Sequence, residues 1–580
     1  MSIATSSIPI SLPVRRWRIA APLTAAQYAP FRGLNPILAA VLSRRGLNDH
    51  LSATRFLQGE ITLADPFSMR GVPEAVTRIR QAIRKRESIV VYGDFDADGV
   101  TSTTLLVTAL RALGADVRFY IPNRVDEGYG LNTDALDKLR QAKADLVITV
   151  DCGIRSVAEV AYGTEQLGLD MIVTDHHSVG ADIPAGIVIN PKQPGCRYGE
   201  TENMLAGVGV SYRLSDALFR AAAANSRSHQ PPFPVEDLLD LAAIGTVADL
   251  VPMDHGENRA LVMRGLARIA QSPRPGLKAL LDVSDTLPEA VDAQVIGFRL
   301  APRINAAGRL ASAATAYKLL MATTYDEARP FADELQRLNV QRQELTRHAQ
   351  EYAINVIGDP RRVPLIFADS PDFPQGIVGL VAGRLTEAFF RPAVVVQRGP
   401  EESHGSCRST ENFHITEALD ECADLLLRHG GHAQAAGFSV LNDNLDALRE
   451  RLVAIAGRKL SETDLIPVIN IDAEVRLSDV TLDLINELKR LEPTGHGNRQ
   501  PILCVRRLRV IEKRVIGSGG AHLKLRVADA DCEFEAIAFG WGAFADVLPE
   551  RVNIAFQPEI NEWQGQKRLQ LNVQDIQATG

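Results

Sequence analysis

Three aspartates stand at alternate positions in VYGDFDADGV: Asp94, Asp96 and Asp98 close an apolar run just before a glycine and the start of a helical stretch. Three carboxylates this close cannot all be buried without partners. A hard divalent cation would neutralise them, because such ions gather several anionic oxygens within coordination distance. The spacing equally suits a helix N-cap followed by a turn, since aspartate serves both, and the segment alone does not choose. Two further apolar runs end in a similar way: ADLVITVDCGI releases Asp151 before a glycine, and LDMIVTDHHS releases Asp175, His176 and His177. Asp151 by itself could cap a helix, and the histidine pair by itself could be a satisfied surface element. In a parallel α/β sheet, however, strand ends gather at the carboxyl edge where ligands bind. Three such ends bearing acid and imidazole point to a two-metal centre, and mixed Asp and His ligation favours manganese or magnesium.

The elements that must position these groups can be read from the surrounding pattern. From Ser88 to about Ala260 the runs SIVVY, DLVITV, DMIVT and GIVIN alternate with helical stretches, which predicts βαβ units and a buried parallel sheet. Residues 1–75 read as an N-terminal extension, helical around Pro36 to Leu57, and 76–325 as the catalytic α/β domain. The stretch 326–357 keeps apolar residues near i, i+3, i+4 with no proline after Pro330, so it predicts one long connecting helix. A smaller α/β domain follows over 358–460, with strands around VPLIFA and PAVVVQ and a glycine-rich RHGGHAQAAGFS. From 465 to 580, short β-like segments between turn residues predict a small barrel such as an OB-fold.

Length and composition bound the rest. A chain of 580 residues exceeds what one core sustains, so several domains are expected. With 46% hydrophobic and 23% charged residues it reads as an ordinary globular protein. Its net charge of −8 argues against a general nucleic-acid coat but leaves room for a local basic groove. Six scattered cysteines without a CxxC pair signal neither a zinc knuckle nor a disulfide framework. The N-terminus lacks a leading positive charge, and no stretch approaches the roughly 20 apolar residues of a membrane span, so the expectation is a cytoplasmic protein without membrane contact.

The segments DFDADG, VDCG, TDHH and ADLVPM occur in the order of the four motifs of the DHH phosphoesterase superfamily, and PNRVDEGYGLN and RLAPRINAAGRL resemble its RecJ-type exonucleases. The resemblance runs from about residue 30 to the C-terminus. It gives a role to Asp249, which by itself reads as an ordinary helix-terminal acid. It implies that Asp96, Asp98, Asp151, His176 and Asp249 ligate two divalent ions, Mn2+ or Mg2+, with Asp151 bridging. It implies catalytic help from Asp94 and His177, the latter polarising the scissile phosphate or donating a proton. Many superfamily members have a histidine four residues before the second aspartate; Tyr92 stands there instead, which removes one imidazole ligand. The implied activity is single-stranded-DNA-specific 5′→3′ exonuclease action releasing 5′-mononucleotides, in recombination and repair including mismatch repair. The implied partners are single-stranded DNA, a single-strand-binding protein and a helicase.

Arg124, Arg303, Arg309 and Arg408 sit in settings suited to phosphate contacts, although a lone surface arginine is more often solvated. The resemblance groups Arg124, Arg309, Ser406 and Arg408 as a pocket for a terminal 5′-phosphate. GGHAQAAGF resembles the glycine-rich motif of the DHH-associated domain, with His432 facing the cleft; Gly430 and Gly431 would equally permit a tight helix-packing turn. In the barrel region Arg506, Arg507, Arg509, Lys513 and Arg514 form a basic run, and Phe539, Trp541 and Trp563, near Lys567 and Arg568, offer stacking faces. That is the charge-plus-aromatic pattern of single-strand binders, and also that of a barrel core with a solvated basic edge. Two rivals remain open: a relative acting on oligoribonucleotides, cyclic dinucleotides or pyrophosphate, usually shorter and without the barrel, and a noncatalytic DNA-binding scaffold, which would have lost its carboxylates.

Overall fold

The computed structural model describes residues 12–579 apart from 60, 125, 199–203, 225–229, 255 and 564–565. The chain divides into a larger unit, Ile61–Ser461 with Gly495–Gly497, and a smaller one, Met1–Glu60 with Glu462–Thr494 and Asn498–Gly580.

In the larger unit, strand β1 (Ser88–Tyr92) leads into helix α1 (Ala97–Ala112), and strands β2 (Asp116–Tyr120), β3 (Leu146–Thr149), β4 (Asp170–Thr174) and β5 (Ile187–Ile189) follow. They pair in the order β2-β1-β3-β4-β5, all parallel. The chain runs outward from β1 to β2 and then crosses to β3 on the far side. Connections therefore leave β1 and β3 in opposite directions, which opens a crevice beyond their carboxyl ends. Asp94 and Asp96 follow β1, Asp151 follows β3, and Asp175 to His177 follow β4, so the topology delivers all of them to that edge.

Helices α2 (Gly207–Ala223) and α3 (Leu239–Ala248) press against α1. A Cβ on Gly245 of α3 would fall 2.3 Å from the Thr101 hydroxyl and 2.7 Å from Val208, so glycine is what allows this approach. Helix α4 (Ala301–Leu310) precedes α5 (Tyr325–Ile357), the long helix that the periodicity predicts. Its N-terminus is capped by Thr324, whose side chain accepts from the Glu327 N–H. Its buried face repeats at Leu335, Leu338, Thr346, Ala349 and Ala353.

A second sheet comprises β6 (Ile366–Ser370), β7 (Ala393–Gln397), β8 (Glu402–Arg408), β9 (Leu426–His432) and β10 (Ala435–Leu441), with helix α6 (Val378–Phe389) between β6 and β7. Its order is β9-β10-β8-β7-β6, parallel at β6–β7 and antiparallel elsewhere. The glycine-rich motif is thus a β-hairpin and not a helix-packing turn: Gly430 faces Gly437 and Gly431 faces Ala436. Strand pairing satisfies the backbone of this segment, whose small residues would have suited either arrangement.

The smaller unit holds a closed barrel of five strands: Leu503–Ile516, His522–Ala528, Glu533–Ala538, Arg551–Trp563 and Gln566–Ala578. The first three are antiparallel in sequence order, the third runs parallel to the fifth, and the fourth closes against the first, which is an OB-fold order. Residues Arg16–Ile19 pair in parallel with Val468–Ile471. Phe31, Leu38, Leu42 and Phe56 join Leu508, Leu525, Ile554 and Phe556 in one apolar cluster, and the Trp17 indole donates to Asp575 at 2.6 Å. The segment that reads as an extension is therefore built into the core of the barrel unit. Among the described residues no helix is long and apolar enough to cross a membrane.

Candidate metal centre and phosphate pocket

Asp96 does act as an N-cap: its Oδ1 accepts the N–H groups of Asp98 at 2.9 Å and Gly99 at 3.0 Å. Asp98, one residue into α1, reaches across to the N-terminus of α2 and accepts from Gly207 and Val208 at 2.7 and 2.8 Å. The cap and the acidic cluster are thus the same residues. Asp151 takes a left-handed backbone conformation (φ 60°), and a Cβ on Gly207 would lie 2.7 to 2.9 Å from its side chain.

Ligand atoms converge in overlapping groups. Those of Asp94, Asp96 and Asp151 lie within 4.8 Å of one another, as do those of Asp98, His176 and Asp249, and those of Asp151, Asp175, His176 and His177. His176 Nε2 stands 3.1 Å from Asp151 Oδ1, 3.5 Å from Asp249 Oδ2 and 3.9 Å from Asp98 Oδ2. Burial, with the neighbouring Asp96 charge, raises Asp98 to about 7, and burial with Asp98 raises Asp249 to about 9. Asp94 and Asp151 are likewise held well above the usual carboxylate range, first by burial and then by adjacent carboxylates. Burial and the neighbouring His177 bring His176 down to about 3, so its imidazole is neutral, the form that binds metal.

Whether the residues fit a cation can be judged from their unmet bonds. Asp94 Oδ1, Asp151 Oδ1 and both ring nitrogens of His176 are buried without a hydrogen-bond partner. Such groups cost roughly 1–3 kcal/mol each when left unsatisfied. Carboxylate oxygens and a neutral imidazole, crowded together and mutually repelling, are a donor set that divalent Mn2+ or Mg2+ would satisfy.

Around this cluster the other groups are tied down. Asp175 accepts from the backbone of Ile154, His176 and His177 and from His177 Nδ1 at 2.8 Å. Burial, the largest influence, would raise it, but the bond and charge of His177, the charge of His176 and the His177 backbone N–H together outweigh that and hold it at about 2. His177 is raised in turn, because the bond and charge of Asp175 outweigh burial. The Tyr129 hydroxyl lies 3.2 Å from His177 Nδ1. Tyr92 is fully buried and donates its hydroxyl to the Gly130 carbonyl at 3.0 Å, so the position expected to lack a ligand is filled by a core residue that fastens the 129–132 turn.

Beside the cluster lies a cavity of about 550 Å³ lined by Arg124, Tyr129, Arg309, Ser406 and Arg408, among others. The N-terminus of α6 lines it through Val378 and Gly379, and a Cβ on Gly379 would meet the Ser406 hydroxyl at 3.0 Å and Arg408 Nη2 at 3.5 Å. Arg124 stacks over Phe95 at 4.6 Å. Burial, then the positive field of Arg124, Arg342 and Arg408, lowers Arg309 to about 9, and burial lowers Arg408 as well. Four predicted residues are therefore together, and the acids whose fields reach them are Asp94 and Asp96 of the neighbouring cluster. Arg303 and His432 are not among those lining the cavity: Arg303 bonds to Gln336 at 2.8 Å, and His432 is exposed at the end of β9. Residues the sequence reading missed are Gln375, His404 and Arg428 in the cavity wall and Lys192 near Asp249. His404 was findable, because it alternates with Ser406 and Arg408 along one strand face. Arg428 was not, since it arrives through hairpin register.

In the barrel, Arg506, Arg507, Arg509, Lys513 and Arg514 are exposed. Phe539 is 54% exposed and stands edge-on to His522 at 5.2 Å. Trp541 offers no stacking face: at 5% exposure it packs into the barrel core against Phe544, where a large apolar ring is worth more than on the surface. The side chains of Trp563 and Lys567 lie outside the described residues.

Comparison with known proteins gives three family matches in order: the DHH family, N-terminal domain, over residues 88–246, the DHHA1 domain over 362–457 and the RecJ OB domain over 471–575. The single-stranded-DNA-specific exonuclease RecJ of Bacillus subtilis is 38% identical over 93% of this chain and 68% of its own. That of Dickeya dadantii is 35% identical over 94% and 96%. The crystal structure of Thermus thermophilus RecJ in complex with Mn2+ superposes with a TM-score of 0.84 at 32% identity, covering 97% of this chain and 80% of that one, and its Mg2+ complex with 0.78 at 31%, covering 97% and 79%. Matched along nearly its whole length, with the acidic sheet edge in the first of the three domains, the chain belongs to the RecJ family.

Proposed function

We propose that the protein is a metal-dependent exonuclease specific for single-stranded DNA, which attacks from a 5′ end and releases 5′-mononucleotides. The observation that carries this reading is the juxtaposition of the acidic cluster with an arginine-lined cavity, joined by Tyr129, which lines the cavity and bonds to His177. Asp96, Asp98, Asp151, His176 and Asp249 would hold two divalent ions, with Asp94 completing the side that contains Asp96. Ions bound there supply Lewis acidity to a phosphoryl oxygen and acidify a water molecule.

The chain's own groups do the rest. Arg124, Arg309, Arg408 and the Ser406 hydroxyl grip a terminal phosphate, the arginines through charge-assisted bonds, and α6 adds the favourable end of its dipole. Holding that phosphate fixes the first linkage relative to the carboxylates, so positioning sets polarity. His177, oriented by Asp175, is suited to donate a proton to the leaving 3′-oxygen. The exposed barrel arginines and Phe539 would hold the strand further along.

The same reading assigns a helicase and a single-strand-binding protein as suppliers of the separated strand, and recombination and repair as the setting. The cytoplasmic assignment is supported by six free cysteines. Digestion of 5′- and 3′-labelled single strands tests the reading: the 5′ label should leave first, as a mononucleotide, and chelation should abolish release. Arg408→Ala should shrink the preference for 5′-phosphate over 5′-hydroxyl ends towards unity. Equal slowing of both ends would place Arg408 elsewhere along the strand.

A further inference from the structure

Helix α4 and the turn before it run alongside the acidic cluster. Near the C-terminus of α4, Gly308 leaves no room for a Cβ against the carbonyl of Phe95, which stands between Asp94 and Asp96. In the middle of α4, the Asn305 side chain accepts the Ala97 N–H at 2.7 Å. Ahead of α4 lies a turn of π-helix, Ile296–Leu300, in which the Ala301 N–H reaches back to the Ile296 carbonyl. That turn packs on the end of α3, where a Cβ on Gly297 would stand 3.8 Å from Cγ1 of Val247, two residues before Asp249. Single π-turns are rare in helices and concentrate at functional sites.

The turn buries Ile296 and Leu300 and presents Phe298 outward, at 82% the most exposed large apolar side chain among the described residues. The end of α3 supplies another: Leu250, immediately after Asp249, is 69% exposed and left-handed (φ 58°), with its N–H on the Val247 carbonyl. One exposed apolar side chain needs no account, but two beside an acidic cluster do, one of them in a conformation that bulky residues avoid. Two side chains fall far short of the roughly 800 Å² that each partner brings to a stable protein interface. The charges on the same turn and helix, Arg299 and Arg303, are cationic and bond to carbonyl, hydroxyl and amide groups. An exposed aromatic face beside positive charge suits a base of a single strand. At 1.5 Å per residue, Phe298 stands about 16 Å along the helix from Arg309, which lines the phosphate cavity. A strand with its terminal phosphate at Arg309 and its first linkage at the acidic cluster therefore continues towards Phe298. We propose that Phe298 stacks on a nucleobase on the 3′ side of the first linkage, holding the remaining strand in line as each nucleotide leaves. The inference rests on the exonuclease reading.

The test is fluorescence anisotropy of the full chain in EDTA with short 5′-phosphorylated oligothymidylates, either intact or carrying one abasic site at successive positions. Wild type should lose about tenfold in affinity when the abasic site falls at one position a few nucleotides from the 5′ end, the worth of one stacked base. Phe298→Ala should bind the intact strand about tenfold more weakly and be indifferent to an abasic site at that position. Phe298→Trp should keep the position-specific loss, whereas Phe298→Leu, apolar but without an aromatic face, should behave like Phe298→Ala. Because the ring is exposed, Phe298→Ala should keep the wild-type melting temperature and its rise with Mn2+.

The same abasic profile in wild type and Phe298→Ala overturns the contact, as does loss of the Mn2+ response in that variant, which would trace the weakening to α3. A change of oligomeric state in Phe298→Ala with unchanged strand affinity would make this face a contact between copies and also overturns it. If wild type shows the position-specific loss but releases no mononucleotide with Mn2+, the exonuclease reading fails and the stacking contact stands.

Discussion

Asp151 combines two costs in one residue. Its left-handed backbone is a conformation that few residues other than glycine adopt, asparagine and aspartate at the least cost, and its carboxylate is buried in the field of four others, Asp94, Asp96, Asp98 and Asp249. Strain and crowding of this kind persist only where the surroundings impose them, and here a cation is what would relieve the crowding. Asp151→Asn keeps the shape and the tolerance of the left-handed region while removing the charge. We expect it to abolish hydrolysis, to raise the melting temperature of the metal-free protein by at least about 2 °C, and to lose most of the stabilisation by Mn2+. The pH dependence follows with a definite sign. Asp98 at about 7 and Asp249 at about 9 are raised above the ordinary carboxylate value, so the folded protein binds protons that the unfolded chain has already released. Stability in EDTA should therefore fall as pH rises from 6 to 9, and saturating Mn2+ should largely remove the decline. A melting temperature that is flat or rising over that window in EDTA would contradict the crowded-carboxylate account.

At the scale of elements, glycines report where backbone approach is required. Gly245 has no room for a methyl group between Thr101, Val208 and Asp98, whereas a Cβ on Gly430 would meet nothing within 4 Å. Gly245→Ala should cost about 1–3 kcal/mol in denaturant unfolding and weaken Mn2+ binding, because Asp98 must move. Gly430→Ala should change stability by less than about 0.5 kcal/mol. Any loss of activity in Gly430→Ala then reports contact with DNA, and equal destabilisation by the two variants would show that the packing argument is wrong. These elements were unequally legible. Val- and Ile-rich runs ending in Asp are unambiguous for buried parallel strands, because no other environment tolerates such apolarity followed by such charge. The glycine-rich hairpin was opaque, since small residues suit several conformations and only the partner strand decides. Arg303 reads as a phosphate contact from its setting in RINAAGRL, but it stands six positions before Arg309 on α4, and along a helix that distance changes both height and face, so it lies outside the lining of the cavity that Arg309 enters.

At the scale of the whole molecule, the smaller unit is assembled from both ends of the sequence. Residues 61–461, expressed alone, should fold and hydrolyse short oligonucleotides with Mn2+, but with a raised KM and a shallower salt dependence on long strands, for lack of the barrel's cations. Residues 1–461 should instead aggregate, because Phe31, Leu38, Leu42 and Phe56 would have lost the barrel side chains that cover them. If 1–461 proves as soluble as 61–461, the N-terminal helices do not depend on the barrel. Nothing local in the sequence announces this partnership: Arg16–Ile19 and Val468–Ile471 carry ordinary strand patterns, and pairing across so long an interval has no compositional signature. It does set an order of events during synthesis. The N-terminal helices leave the ribosome first, but their covering strands follow about 400 residues later, which at roughly 5–20 residues per second is about 20–80 s. Throughout that interval the catalytic unit can complete itself while an apolar helical pair remains uncovered, so the nascent chain exposes surface prone to aggregation until its last hundred residues appear.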